Sequence, residues 1–208
     1  MCHKSSVIAH ARGQEPADLL LRNARLVNLY SGEVHPADLA IWNGLAVGFG
    51  PREAAREIDL EGRVVSPGFI DAHVHLESFM VHPAEFARAV LPHGTTTVVS
   101  DPHEIANVMG IEGVRAMLAA SEGLAPAVFV MAPSCVPSTG FETAGAMLSA
   151  SDIASLYNHP RVLGLAEMMN VPGVLAGDTE VLAKLSGAEN RPVDGHAPGL
   201  RGHDLDAY

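Results

Sequence analysis

The chain has 208 residues, a formal net charge of −11 and 48% hydrophobic residues against 18% charged ones. That composition supports a sizeable buried core and excludes an intrinsically disordered chain. The acidic balance argues against sequence-independent binding to nucleic acid, which needs a basic face. No apolar run reaches the roughly 18 residues that span a bilayer.

The start, Met1 to Ser6, is followed by no long apolar segment and does not read as a secretory signal. The two cysteines, Cys2 and Cys135, lie too far apart to form a disulfide framework or a thiolate zinc site. The chain therefore reads as soluble, globular and cytoplasmic. Its unusual count is 11 histidines, so the question is where they fall.

Residues 17–66 read as a small β domain of five short strands. Asp38–Trp42 and Leu45–Phe49 flank Asn43-Gly44, a pair that supplies positive φ for a type I′ hairpin. Further strands fall at 19–27, 58–60 and 63–65. Residues 67–208 change pattern. Phe69 to His75 is a strand with polar residues at its end, and Pro83 opens a helix whose apolar face carries Phe86, Ala89 and Val90. A β-branched strand over 95–100 precedes one helix over 104–122, with Ile105, Val108, Met109, Val114, Met117 and Leu118 as its buried stripe. Strands follow at 127–131, 162–167 and 191–196, with helices starting at Ser151-Asp152 and at the cap Asp178.

The polar strand ends at 75, 101, 133, 167 and 196 are separated by 26, 32, 34 and 29 residues. A βα unit takes roughly 30 residues, so five consecutive units of a parallel barrel or open sheet are expected. In such sheets chemistry sits at the carboxyl ends of the strands.

His73-Val74-His75 places two imidazoles on one face of a strand, because residues two apart point the same way. They suit a divalent transition metal, or they are two surface histidines. Asp71 is positioned to accept from a ring N–H. Glu167 ends an otherwise apolar strand, where a carboxylate is costly unless it is paired or metal-bound; a salt bridge to Arg161 is the alternative. His196 ends the fifth strand between Gly195 and Gly199, as a ligand or as a loop histidine. Asp101 is either a helix N-cap or part of the rim, with His103 and Glu104 beside it reaching a ligand's partner or the substrate. Ser134-Cys135 lies on the third strand's rim with no histidine nearby in sequence, so no nucleophile is assigned. His75-Leu76-Glu77 lacks the cysteines of a zinc nucleobase-deaminase site. The remaining histidines, His3 among them, receive no function.

Pro67-Gly68-Phe69-Ile70-Asp71-Ala72-His73-Val74-His75 resembles the first barrel strand of the amidohydrolase superfamily. Leu91–Thr97, Asp101-Pro102-His103-Glu104-Ile105-Ala106-Asn107-Val108, Pro133–Pro137, Glu167-Met168-Met169-Asn170 and Asp194–Gly199 are similar to the adenine deaminases within it. The resemblance runs from about Asp18 to Tyr208. It implies an N-terminal domain that is part of a composite β-sandwich, followed by the first five units of a metal-dependent (β/α) barrel. It further implies a divalent metal pair, manganese or iron with zinc as an option, that activates water for attack on C6 of adenine, giving hypoxanthine and ammonia. His73 and His75 would bind one metal, Glu167 would bridge both, and His196 would hold the second. A bridging glutamate differs from the carbamylated lysine of cyclic-amide hydrolases.

The resemblance also sets an expectation of incompleteness. A whole barrel has eight strands in about 250 residues, so a further histidine ligand and the general base are expected beyond Tyr208. A hydrolase of another cyclic amide or purine-like ring, or a fragment without turnover, are the alternatives. The expected partner is a small molecule, with a homo-oligomer as an option.

Overall fold

The computed structural model describes residues 4–208. Cys2 and His3 lie outside the described residues. The chain divides into two compact units, Met1–Pro67 and Gly68–Tyr208.

In the first unit, α1 (Lys4–Ala11) precedes β1 (Ala17–Asn28), β2 (Glu33–Trp42), β3 (Leu45–Phe49), β4 (Ala54–Asp59) and β5 (Val64–Val65). The sheet order is β3-β2-β1-β4, with β5 also pairing β1. Asn43 and Gly44 take φ of 48° and 76°, which matches the twist of the flanking strands and closes the expected hairpin. The β1–β2 register slips between Leu21 and Ala24. Asn23, at φ 54°, fills that bulge, and Asp38 and Asp59 accept from its backbone and side-chain N–H groups. Ala17, Leu20 and Ala40 form the small core. His10 stacks on Trp42 at 4.0 Å between centroids, a packing role.

The second unit runs β6 (Phe69–Val74), α2 (Pro83–Val90), β7 (Thr95–Ser100), α3 (His103–Met109), α4 (Ile111–Ala120), β8 (Ala127–Pro133), α5 (Ala150–Leu156), β9 (Val162–Met168), α6 (Val171–Ala176), α7 (Thr179–Gly187), β10 (Val193–Gly195) and α8 (His203–Ala207). The five strands pair in parallel in the order β10-β9-β8-β7-β6. Each strand neighbours the next in sequence, with helical segments in every connection. Val114, Val130, Ile153, Leu156 and Leu165 belong to the main core, and Val98 packs with Phe86 in a second cluster.

Some local expectations change. The helix expected over 104–122 is two helices, broken at Gly110, whose φ 61° and ψ −147° suit only a residue without Cβ. The break resets the buried face. Ala106, Val114 and Leu118 are buried, while Val108 and Met109 are exposed rather than in the core. α3 and α4 pack so closely that a Cβ on Gly113 would lie 2.8 Å from the Ile105 carbonyl oxygen. In α2 the buried pair is Phe86 and Ala87, and Ala89 faces outward. Pro83 does open that helix, with the His82 ring accepting from the Ala84 N–H as cap. The short α6, capped by Asn170, is an element the sequence pattern did not reveal. Among the described residues no helix is long and apolar enough to cross a membrane.

The start of α5 offers a stability test. Ser149 and Asp152 form a reciprocal capping box. Ser149→Ala should cost about 1 kcal/mol in a denaturation experiment at neutral pH. The Ser149 hydrogen bonds hold the Asp152 carboxyl below its usual range. A depressed folded-state pKa gives stability that is present above the unfolded value and lost as pH falls through the folded one. The gap between wild type and Ser149→Ala should therefore narrow in acid, as pH falls from about 4 through the lowered pKa of Asp152, leaving the part due to the Asp152 N–H bond to Ser149 Oγ. A gap of unchanged size there would show that Asp152 does not act through Ser149.

Candidate metal centre

The chemistry-bearing residues converge at the carboxyl ends of the parallel strands. β6 and β9 are separated by two strands, and at about 4.8 Å per step a flat sheet would hold them about 14 Å apart. Yet His73 Nε2 lies 3.2 Å from Glu167 Oε1. The sheet must curl for these side chains to meet, as the wall of a partial barrel does.

Glu167 is the hub. Its carboxylate lies 3.2 Å from His73 Nε2, 3.9 Å from His75 Nε2, 3.6 Å from His103 Nδ1 and 3.7 Å from His196 Nε2. Its side chain is 14% exposed. Arg161, the alternative partner, instead donates to the carbonyls of Leu118, Ser121 and Val128 and to the Ser121 hydroxyl.

The imidazoles are themselves oriented. His75 Nδ1 donates to the Asp101 carbonyl at 2.7 Å, which fixes that proton and leaves Nε2 with a free lone pair. That lone pair faces His73 Nε2 at 3.2 Å. The His75 and His103 rings meet edge to face at 4.7 Å. Asp71 Oδ1 accepts from the His73 backbone N–H, so it steadies the strand end and not the ring.

Asp101 does not cap α3, whose N-cap is Pro102. Asp101 is 1% exposed, and its Oδ2 accepts from His103 Nδ1 at 3.0 Å. That hydrogen bond pushes His103 up to about 9, against the burial that opposes it. Burial raises Asp101 as well. Glu104 Oε2 lies 3.3 Å from His75 Nδ1 and 3.7 Å from His103 Nε2. Burial works against its ionisation, but hydrogen bonds from its own backbone, Glu77 and Ser78 together with the His103 charge keep it below its usual range.

Two carboxylates were not singled out in sequence. Glu77 is pushed up to about 7, chiefly by burial, with Glu104 adding to the rise. Asp194 is raised by burial; it lies on β10 two residues before His196, a spacing in sequence that could have drawn attention to it.

The donor set fits a divalent cation. The nearest ligand atoms of His75, Asp101, His103 and Glu167 all lie within 4.8 Å of one another. Asp101 Oδ1, Glu77 Oε2 and Glu104 Oε2 are buried without a hydrogen-bond partner, an expense a cation would relieve. Imidazole nitrogen with carboxylate oxygen suits zinc, iron, manganese or nickel.

Comparisons with known proteins identify the family and the fold. The amidohydrolase family model matches residues 64–207. The adenine deaminase of Desulfatibacillum aliphaticivorans is 54% identical over 204 residues, which cover 97% of this chain and 36% of that protein. That of Methanothrix thermoacetophila is 53% identical over 204 residues, with the same coverage. This chain thus spans little more than a third of the length of these relatives. Among solved structures, N-acyl-D-glutamate deacylase from Bordetella bronchiseptica, crystallised with zinc and a phosphonate inhibitor, has a TM-score of 0.57 at 20% identity over 88% of this chain and 45% of that one. A D-aminoacylase has a TM-score of 0.56 at 18% identity, covering 92% of this chain and 48% of its own. A parallel sheet curled around a histidine-ringed carboxylate, and a family match across most of the second unit, place the chain in the amidohydrolase family.

Proposed function

We propose that this chain is the metal-binding front portion of an adenine deaminase, which converts adenine and water to hypoxanthine and ammonia. The observation that carries the reading is the Glu167 carboxylate lying within 3.9 Å of four histidine rings. Relatives more than half identical and named adenine deaminase support the substrate. His73, His75, Glu167 and His196 hold a divalent pair, manganese or iron in preference to zinc. A bound divalent pair brings the pKa of water down toward neutrality. Asp101 orients the His103 ring at the rim, and Glu104 faces the same space as a substrate contact.

The first unit serves as part of a β-sandwich. Its recess of about 820 Å³, lined by Leu26, Leu29, Tyr30, Leu39, Phe49 and Val65, is the kind of apolar surface that a second sheet covers. The second unit supplies five strands of a barrel, and the general base comes from strands that follow the fifth.

Product analysis tests the substrate class. Incubation of the chain fused to the remaining portion of such a relative with adenine should yield hypoxanthine and ammonia, whereas a ring-opened acid from a cyclic amide would replace this reading with the other hydrolase class. In the fused chain Glu104→Gln should lower turnover at least tenfold while leaving metal content unchanged. A wild-type rate would leave Glu104 as a helix-start residue without a role in the reaction.

A further inference from the structure

The segment Pro133-Ser134-Cys135-Val136-Pro137 has no nucleophilic partner, yet Ser134 and Cys135 are both buried beneath the rim. The β8–β9 ladder ends at Pro133 opposite Ala166. Proline has no N–H to continue it, so backbone pairing with β8 stops one residue short of Glu167. Two side chains take over from there. The Ser134 hydroxyl donates to the Glu167 carbonyl at 2.8 Å, and the Met169 N–H donates to Cys135 Sγ at 3.2 Å. Lys184, reaching across from α7, donates to the Ser134 carbonyl at 2.9 Å and anchors the clamp. On the opposite edge Met168 is in register with Gly195, and the Tyr208 hydroxyl donates to the Met168 carbonyl.

Strand ends fray where ladder bonds stop. A carboxylate that must face four imidazoles needs its backbone fixed. We propose that Ser134 and Cys135 are positioning residues, which extend the β8 edge past Ala166 by side-chain hydrogen bonds to the Glu167 carbonyl and the Met169 N–H and so hold the Glu167 carboxylate in the metal-binding geometry. The inference rests on the reading of Glu167 as a metal ligand. Neither residue belongs to the ligand cluster around Glu167. Loss of such a supporting contact typically weakens metal binding about 10–100-fold.

The test is a manganese titration of the 208-residue chain, reading the free aquo-ion signal by electron paramagnetic resonance, with a thermal melt of each variant. Ser134→Ala and Cys135→Ala should each weaken binding about 10–100-fold. Cys135→Ser keeps an acceptor for the Met169 N–H and should recover most of the affinity. General loosening of the fold would not give that recovery, because serine is the less apolar residue in a buried site. Glu167→Gln is the control for the underlying reading and should lose binding altogether. Wild-type affinity in Ser134→Ala and Cys135→Ala, beside loss in Glu167→Gln, would overturn the clamp and leave the ligand assignment standing. Equal weakening in Cys135→Ala and Cys135→Ser would also overturn it. Undiminished binding in Glu167→Gln, or none in the wild type, would overturn the ligand reading and the clamp with it. Should Ser134→Ala not fold, the Cys135 pair decides alone.

Discussion

His75→Ala is expected to strip the chain of its divalent metal, with a loss of affinity above about 100-fold, larger than the effect of removing a supporting contact. The reason is geometric. His75 Nδ1 is committed to the Asp101 carbonyl, so Nε2 is free to bind, beside His73 Nε2 and facing Glu167. Alanine removes a donor that no neighbour can replace, because His73 and His103 already occupy their own sides of the carboxylate. Glu167→Ala should do the same by removing the group that all four rings share. The fold should survive both changes, since the polar rim lies beyond the Leu165 and Val130 layer of the core. Metal analysis after gel filtration measures the effect. Unchanged metal content in either variant would sink the ligand assignment.

The second large effect concerns the rest of the barrel. β6 and β10 form the two edges of the parallel sheet, and Phe69 and Ile70 on β6 are 64% and 66% exposed. A closed barrel has no such edges, and eight strands are the usual number. The site as described gathers the histidines and carboxylates of the ligand cluster. Fusing the remaining portion of the Desulfatibacillum aliphaticivorans relative after Tyr208 should cover Phe69 and Ile70, raise the thermal midpoint and switch on turnover. The 208-residue chain alone should bind manganese and remain silent.

Much of this was legible in sequence because strands announce themselves locally. Thr95–Ser100 and Val162–Glu167 are β-branched or wholly apolar runs that end in polar residues, and the strand ends at 75, 101, 167 and 196 do converge. Asn43-Gly44 encodes its hairpin in two residues. What stayed hidden depends on tertiary context. Gly110 breaks a helix that periodicity alone would continue, so Val108 and Met109 were misassigned to the core. Asp101 reads equally as a cap or as a site residue until its burial is seen. Glu77 shows its raised pKa only once the fold buries it, with Glu104 adding to the rise. Ser134 and Cys135 gain a role only when β9 lies beside them.

Ammonia release from adenine with added manganese, measured on the 208-residue chain beside the fused one, tests the central claim most directly. Ammonia and hypoxanthine from the fused chain alone is the expected result. A fused chain that holds manganese but releases no ammonia would contradict adenine as the substrate. Turnover by the 208-residue chain itself would contradict the placement of the general base beyond the fifth strand.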